Sequence, residues 1–188
     1  MNRLLLLAVF ALSAFSACNF TPLPSNDPDS GVSCTSGTTP AGSGSTQGAQ
    51  QFAVGSSYQR SGQYRDPDSG VVNGAQLDVQ LLKKSISCAA RADAGPDGDG
   101  FFVTVINHAS DRISAGTYPV SGHADGGAAS FIGLGIFDGG LNIATEGSFT
   151  LTTVQNCSVS GSFDVQFGQS DGGAVPFSGT FSSEYCLR

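Results

Sequence analysis

Two stretches near the C-terminus alternate strictly. In "CSVSGSFDVQF", Cys157, Val159, Phe163, Val165 and Phe167 share one face, while Ser158, Ser160, Ser162, Asp164 and Gln166 share the other. In "AVPFSGTFSSEY", Val175, Phe177, Phe181 and Tyr185 oppose Ser178, Thr180 and Ser182. A period of two is the signature of a strand buried on one face only, because successive side chains point to opposite sides of a sheet. The intervening "GQSDGG" supplies a turn, so the two stretches predict a hairpin. With both apolar faces inward, Cys157 stands opposite Tyr185 and Cys186 points to the other face.

Other short apolar runs extend the pattern: "AQLDVQL" around Leu77 to Leu81, "FFVTVI" from Phe101 to Ile106, "GTYPV" near Tyr118, "FIGLGIF" from Phe131 to Phe137 and "GSFTLTTV" from Gly147. "FFVTVI" is apolar on both faces except at Thr104 and predicts a central strand. In "FIGLGIF", Gly133 and Gly135 share one face, which either admits a ligand or lets two sheets approach closely. The best helical contender, "AQLDVQLLKKSISCAARA", places Val79 off the stripe of Leu77, Leu81 and Leu82, and reads as a strand followed by a loop. The expectation is an all-β fold: a single antiparallel β-sandwich or barrel of about eight short strands.

The other end of the chain gives an address. Residues 1–17 carry one charge, Arg3, then an apolar run from Leu4 to Phe15 and small residues, the pattern of a secretory signal. The ending "FSAC" resembles the lipobox of bacterial lipoproteins, which implies cleavage before Cys18 and lipidation of that residue; Phe15 stands where an aliphatic residue is usual. Residues 18–50 are rich in Ser, Thr, Gly and Pro and read as a disordered, flexible tether, leaving residues 51–188 as the β domain. No second apolar run is long enough to span a bilayer, so attachment to the membrane would come from acyl chains.

The full chain has 8 basic and 15 acidic residues, a net charge of −7, and loss of Arg3 with the signal makes it one unit more negative. Such a surface repels nucleic acid, which is excluded as a partner. With Cys18 lipidated, Cys34, Cys88, Cys157 and Cys186 form an even set suited to two disulfides in an oxidising compartment. None stands in a CxxC pair, so redox and zinc chemistry have little support. Because a direct bridge from Cys157 to Cys186 would need a bulge or a frayed end, the favoured connectivity is Cys88 with Cys186 and Cys34 with Cys157.

The one metal candidate is "ADAGPDGDG", with Asp93, Asp97 and Asp99. Counted as a calcium loop from Asp93, it has Gly95 at position 3 and Thr104 at position 12, so two essential ligands are missing. Ten of the thirteen aspartates sit in glycine-linked clusters, including two copies of "DPDSGV" and "DGG" at Asp125, Asp138 and Asp171. The stretch therefore reads as a turn, and no cofactor or metal is expected. "GQSDG" formally matches a nucleophile elbow around Ser170, but that motif needs a strand-to-helix turn and here the flanks are strands. His108 and His123 stand outside any metal spacing. For binding, "SSYQRSGQYR" gathers Tyr58, Arg60, Gln63, Tyr64 and Arg65 into a predicted loop or hairpin, residue types favoured at interaction hot spots. The absence of Trp weakens a sugar-stacking reading.

"ISAGTYPV", "GSFTLTTV" leading into "CSVSGSFDVQFG", and the closing "VPFSGTFSSEYC" resemble uncharacterised bacterial envelope lipoproteins over roughly the C-terminal half. The resemblance implies a secreted, lipid-anchored β domain and supplies no active-site residue. The expected role is non-enzymatic, in envelope structure or protein interaction at the outer membrane of a Gram-negative bacterium. The alternatives are a small-ligand or glycan-binding module and, more weakly, a secreted hydrolase; the alternative to anchoring is a soluble secreted protein.

Overall fold

The computed structural model describes residues 42–65, 70, 72–87, 99–120, 129–138, 140–155, 157–168 and 173–185. They form nine strands: β1 (Ser43–Gly48), β2 (Ser56–Arg65), β3 (Val72–Leu82), β4 (Gly100–Asn107), β5 (Gly116–Pro119), β6 (Ser130–Phe137), β7 (Gly140–Val154), β8 (Ser158–Gly168) and β9 (Ala174–Tyr185). The protein is all-β, and the described residues contain no helix.

One sheet holds every strand, in the order β1-β9-β2-β3-β4-β6-β7-β5, with β8 joining β7 to β9. The expected C-terminal hairpin is β8 and β9, paired from Ser158↔Glu184 to Gly168↔Ala174. That register sets position 157 opposite 185, as the alternation predicts. The expected central strand is β4, held between β3 and β6.

The sheet is mixed. All its pairs are antiparallel except β2 with β9, which meet in parallel over two residues, Tyr58↔Glu184 and Gln59↔Tyr185. The sheet coils round one core but is not a closed barrel, because only this short contact completes the circuit. β1 covers the edge of β9 from Phe177 to Ser182 ahead of that contact, and β5 lies along β7 from Ser148 to Leu151.

The inner face is aromatic. Leu77, Val79 and Leu81 of β3, Phe101, Val103 and Val105 of β4, and Phe131 and Phe137 of β6 share it with Phe149 and Leu151 of β7, Val159, Phe163, Val165 and Phe167 of β8, and Phe177 and Phe181 of β9. Phe101 lies 4.8 Å from Phe163 and 5.2 Å from Phe177 between ring centroids, and Phe149 stacks on Phe181 at 4.9 Å. Each such ring contributes about 1.5–3 kcal/mol by burial and about 0.5–1.5 kcal/mol more per well-oriented pair. Gly133 and Gly135 make room for these rings. A Cβ on Gly133 would lie 3.2 Å from Phe101 and Phe131, and one on Gly135 would lie 2.9 Å from Phe167. The close approach those glycines permit is thus to phenylalanine.

Two expectations need correction. β1 lies inside residues 18–50, so residues 43–48 belong to the sheet and not to a tether. Its sequence, "SGSTQG", has no apolar residue to set a period; the strand is held by its ladder to β9 and by Thr46 Oγ1, which accepts from Phe52 N–H at 2.7 Å and donates to Phe52 O at 2.8 Å. "SSYQRSGQYR" is neither a loop nor a hairpin but the continuous strand β2, paired with β3 from Ser56↔Leu82 to Gln63↔Ala75, with a shift before Arg65↔Val72.

Candidate functional site

The strand geometry of β2 disperses the five residues proposed as a binding patch. Tyr58 is on the outer side of the sheet but only 1% exposed, packed under Leu82 and Ile86. Gln63 pairs with inward-facing Ala75 and so has the opposite parity to Tyr58 and Tyr64. Tyr64 is half-buried edge-on against His108, at 4.9 Å and 89° between rings. Arg65 Nη1 donates to the carbonyl of Gly70, strapping the turn into β3. Arg60 pairs through its backbone with Asp78. Tyr58, Tyr64 and Arg65 are thus engaged in local structure, and Gln63 lies on the opposite parity, so these residues do not share one surface.

Of the calcium candidates, Asp93 and Asp97 lie outside the described residues. Asp99 is committed to tying two hairpins together: its Oδ2 meets Lys83 Nζ at 3.1 Å and its Oδ1 accepts the Asp138 N–H at 2.9 Å. Asp138 occupies the two-residue connection from Phe137 to Gly140 at φ 49°, the left-handed conformation such tight hairpins require. For Asp138 the turn reading of "DGG" holds, and the same residue organises Asp99. Among the described residues no group of three His, Cys, Asp or Glu side chains is placed to hold a metal.

His108 follows the end of β4, with its Nε2 buried and without a hydrogen-bond partner among the described residues. Ser170 and His123 lie outside the described residues, as do Cys18, Cys34, Cys88 and Cys186. The segment around Ser170 joins β8 to β9, so both of its flanks are strands.

Two buried polar features escape sequence reasoning. On the outer side of β3, Asp78 accepts from Gln76 Nε2 at 3.0 Å and from Thr104 Oγ1 at 2.8 Å, and Gln76 and Asp78 are each 9% exposed. Alternation marks Asp78 as outward and gives no sign of its burial. At the start of β5, Tyr118 Oη donates to Ser114 O at 2.6 Å and accepts from Ser114 N–H at 3.3 Å, closing a corner. Burial raises its pKa above the ordinary 10.0, partly offset by the bond to Ser114.

The outer faces differ sharply in chemistry. Across β4, β6 and the start of β7, register places Phe102 beside Leu134 and Leu134 beside Ile143, with Ile136 beside Leu141 in the next row and Ile132 beside Thr104. Ile132, Leu141 and Ile143 are 40%, 38% and 49% exposed. No charged residue lies in Ser130–Phe137 or Gly140–Ile143. The face formed by β1, β9, β8, the end of β7 and β5 is hydroxylic. One row runs Ser45, Thr180, Ser162, Thr150, Thr117, and another runs Ser43, Ser182, Ser160, Thr153. Ser45 and Thr180 share a hydrogen bond at 3.1 Å, and so do Thr117 and Thr150. Glu146, Asp164 and Glu184 are the exposed charges on these strands, and the five strands contain no Lys or Arg.

No helix among the described residues is long and apolar enough to cross a membrane. No family model matches the chain, and neither a curated protein nor a solved structure matches it.

Proposed function

We propose that this chain is a non-enzymatic, lipid-anchored protein of the cell envelope, held at the outer membrane through Cys18, whose β domain binds another envelope protein through the outer face of β4, β6 and the start of β7. The observation that carries the interaction is the uncharged aliphatic surface of exposed Ile132, Leu141 and Ile143 with half-buried Leu134 and Ile136 beside Phe102. Contiguous apolar surface on a sheet has a desolvation free energy to gain from a complementary protein face. A chain of net charge −7 keeps such a face from indiscriminate self-association, so the partner is an apolar protein surface that is not itself strongly acidic.

The address is supported by the leader and "FSAC", and by the two-disulfide scheme that an oxidising compartment permits. A second reading, a glycan-binding module, is favoured by the rows of hydroxyls on β1, β9, β8, β7 and β5, which can both donate to and accept from sugar hydroxyls.

A photo-activated cross-linker placed at Ile143 and, separately, at Thr152 tests the choice in intact cells. A discrete protein adduct from Ile143 alone is the expected result. Adducts to polysaccharide from Thr152, with none from Ile143, would favour the glycan reading and remove the leading one. For the anchor, Cys18→Ser should move the protein from the membrane to the soluble fraction; retention in the membrane would refute lipidation, and a wild-type protein already soluble would identify it as secreted.

A further inference from the structure

The segment between Gly42 and Gly55 begins and ends at one place on the sheet. Gly42, at φ 72°, is wedged against Ser57 and Ser182: a Cβ there would meet both carbonyl oxygens and lie 2.9 Å from the Ser57 Cβ. Gly55, just before β2, is fixed to the end of β3, because its N–H donates to Leu82 O at 2.8 Å and a Cβ on it would lie 2.6 Å from Lys83 O. Both ends therefore stand beside the start of β2. We infer that Ser43–Val54 is a flap hinged at these two glycines, which opens as one unit from the edge of β9 while the rest of the sheet stays closed. A compact segment whose ends meet can swing without moving the sheet at its base.

Several bonds tie the flap to itself. Gln51 N–H donates to Gly48 O at 3.2 Å, Ser45 bridges to Ala53, and Thr46 Oγ1 takes the Phe52 N–H at 2.7 Å while donating to Phe52 O at 2.8 Å. Gly48, at φ 108°, makes the turn between the two halves. β1 and the returning residues 51–54 thus form a small hairpin, and its halves move together.

Attachment to the rest of the sheet is of a different kind. β1 meets β9 through the backbone ladder from Ser43↔Ser182 to Gly48↔Phe177 and one exposed side-chain bond, Ser45 to Thr180 at 3.1 Å. Its own residues, Ser, Gly, Thr and Gln, bring no apolar side chain to the core. The returning half supplies the apolar anchor: half-buried Phe52 lies 6.0 Å from Phe137 and 6.2 Å from Phe177 between ring centroids, and Val54 packs against the same cluster. By contrast, β8 and β9 carry Val159, Phe163, Val165, Phe167, Phe177 and Phe181 into the core. Opening the flap gives up a ladder and a marginal anchor, whereas parting β8 from β9 gives up the core itself, so the two belong to separate units of stability.

An open flap changes two surfaces. It withdraws Ser43, Ser45 and Gln47 from the hydroxylic face, and it frees the backbone groups of Phe177–Ser182 that β1 covers, an edge of the kind that pairs with other chains. It also uncovers the rings of Phe137 and Phe177 beside that edge. The closed flap is a guard for β9, built from small polar residues that leave its own outer side without apolar groups. The aliphatic face over β4 and β6 takes no part in this, so the flap is independent of the interaction proposed for that face.

Hydrogen exchange of the full-length protein, read at single amides, tests the flap. Within Phe177–Ser182, successive amides point alternately to β1 and to β8. The β1-directed amides of β9 and the bonded amides of Ser43–Val54 are expected to share one exchange rate, at least about tenfold faster than that of the β8-directed amides. Phe52→Ala should speed the first set by a common factor and leave the second unchanged. Phe52→Leu, which keeps an apolar anchor, should give the same pattern with a smaller factor and serves if the alanine variant does not fold. Rates graded along β1 from one end would show fraying instead of a flap and overturn the inference. So would flap amides as slow as those between β8 and β9, an effect of Phe52→Ala confined to its neighbours, or equal acceleration of both sets.

Discussion

The aliphatic face over β4 and β6 and the hydroxylic face over β8 and β9 cover opposite parts of one sheet, and beneath both the inner side is the same packed phenylalanine. Phe101 of β4 lies behind the first and Phe177 of β9 behind the second, yet the two rings are in edge-on contact at 5.2 Å. The inner side is set by packing, which demands apolar volume wherever the strand lies. The outer side is free of that demand, so the contrast between its two parts is where binding specificity can reside.

The sharpest way to break this comparison is to strike the shared interior from each side. Phe101→Ala and Phe177→Ala should each cost about 3–5 kcal/mol in urea unfolding, since each leaves a cavity among rings that cannot collapse freely. Similar losses are expected although the outer faces differ. A cheap Phe177→Ala would mean that the β8–β9 side does not share the core. Gly135→Ala probes the same interior from the opposite direction. Its methyl group would press on the Phe137 ring first and then on Phe167 at 2.9 Å, for a cost of about 1–3 kcal/mol by overpacking.

What the sequence discloses follows the same division. The β8–β9 hairpin was legible to the residue, because its apolar side chains face in and its hydroxyls, apart from inward Ser183, face out. Two stretches were misread or overlooked, and both invert that rule. In β2, Ser57, Gln59, Ser61 and Gln63 have the inner parity while Tyr58 and Tyr64 lie outside, so the tyrosines suggested an exposed patch. At the start of β7, Asn142 and Ala144 take the inner side while Leu141 and Ile143 face outward, so no strand was predicted before Gly147. Periodicity finds a strand but does not say which face is buried; that choice needs the neighbouring strands. The inverted stretch of β7 is also part of the aliphatic face, so what obscured the fold there is what marks the candidate surface. β1 was hidden for a different reason, since a strand of Ser, Gly, Thr and Gln held by backbone bonds has no pattern to read.

Substitutions on the outer faces should separate binding from stability. Ile132→Ser and Leu141→Ser are expected to change unfolding free energy by no more than about 0.5 kcal/mol, because both side chains are already well exposed. They should nonetheless abolish the Ile143-dependent adduct or reduce it at least about tenfold, a loss of roughly 1.4 kcal/mol in binding. Thr180→Ala on the hydroxylic face removes one exposed bond to Ser45, worth at most about 0.5–1.5 kcal/mol, and should leave that adduct unchanged. Equal effects from both faces would erase the distinction.

The smallest expected effect concerns the corner where β5 joins the hydroxylic side, and it appears only in alkali. Tyr118 is buried with its hydroxyl donating to Ser114 O, and burial raises its pKa above the unfolded value of 10.0. Below pH 10 the phenol is neutral in both states, so its contribution to stability is fully present. Above pH 10 the unfolded chain releases this proton more readily than the folded one, and the contribution is lost as pH rises toward the folded value. Tyr118→Phe removes the titration along with the bond. In denaturant unfolding between pH 8 and 11, the wild type should therefore lose stability more steeply than the variant above pH 10, with the two curves parallel below it. Parallel curves throughout would show that Tyr118 titrates alike in the folded and unfolded chain.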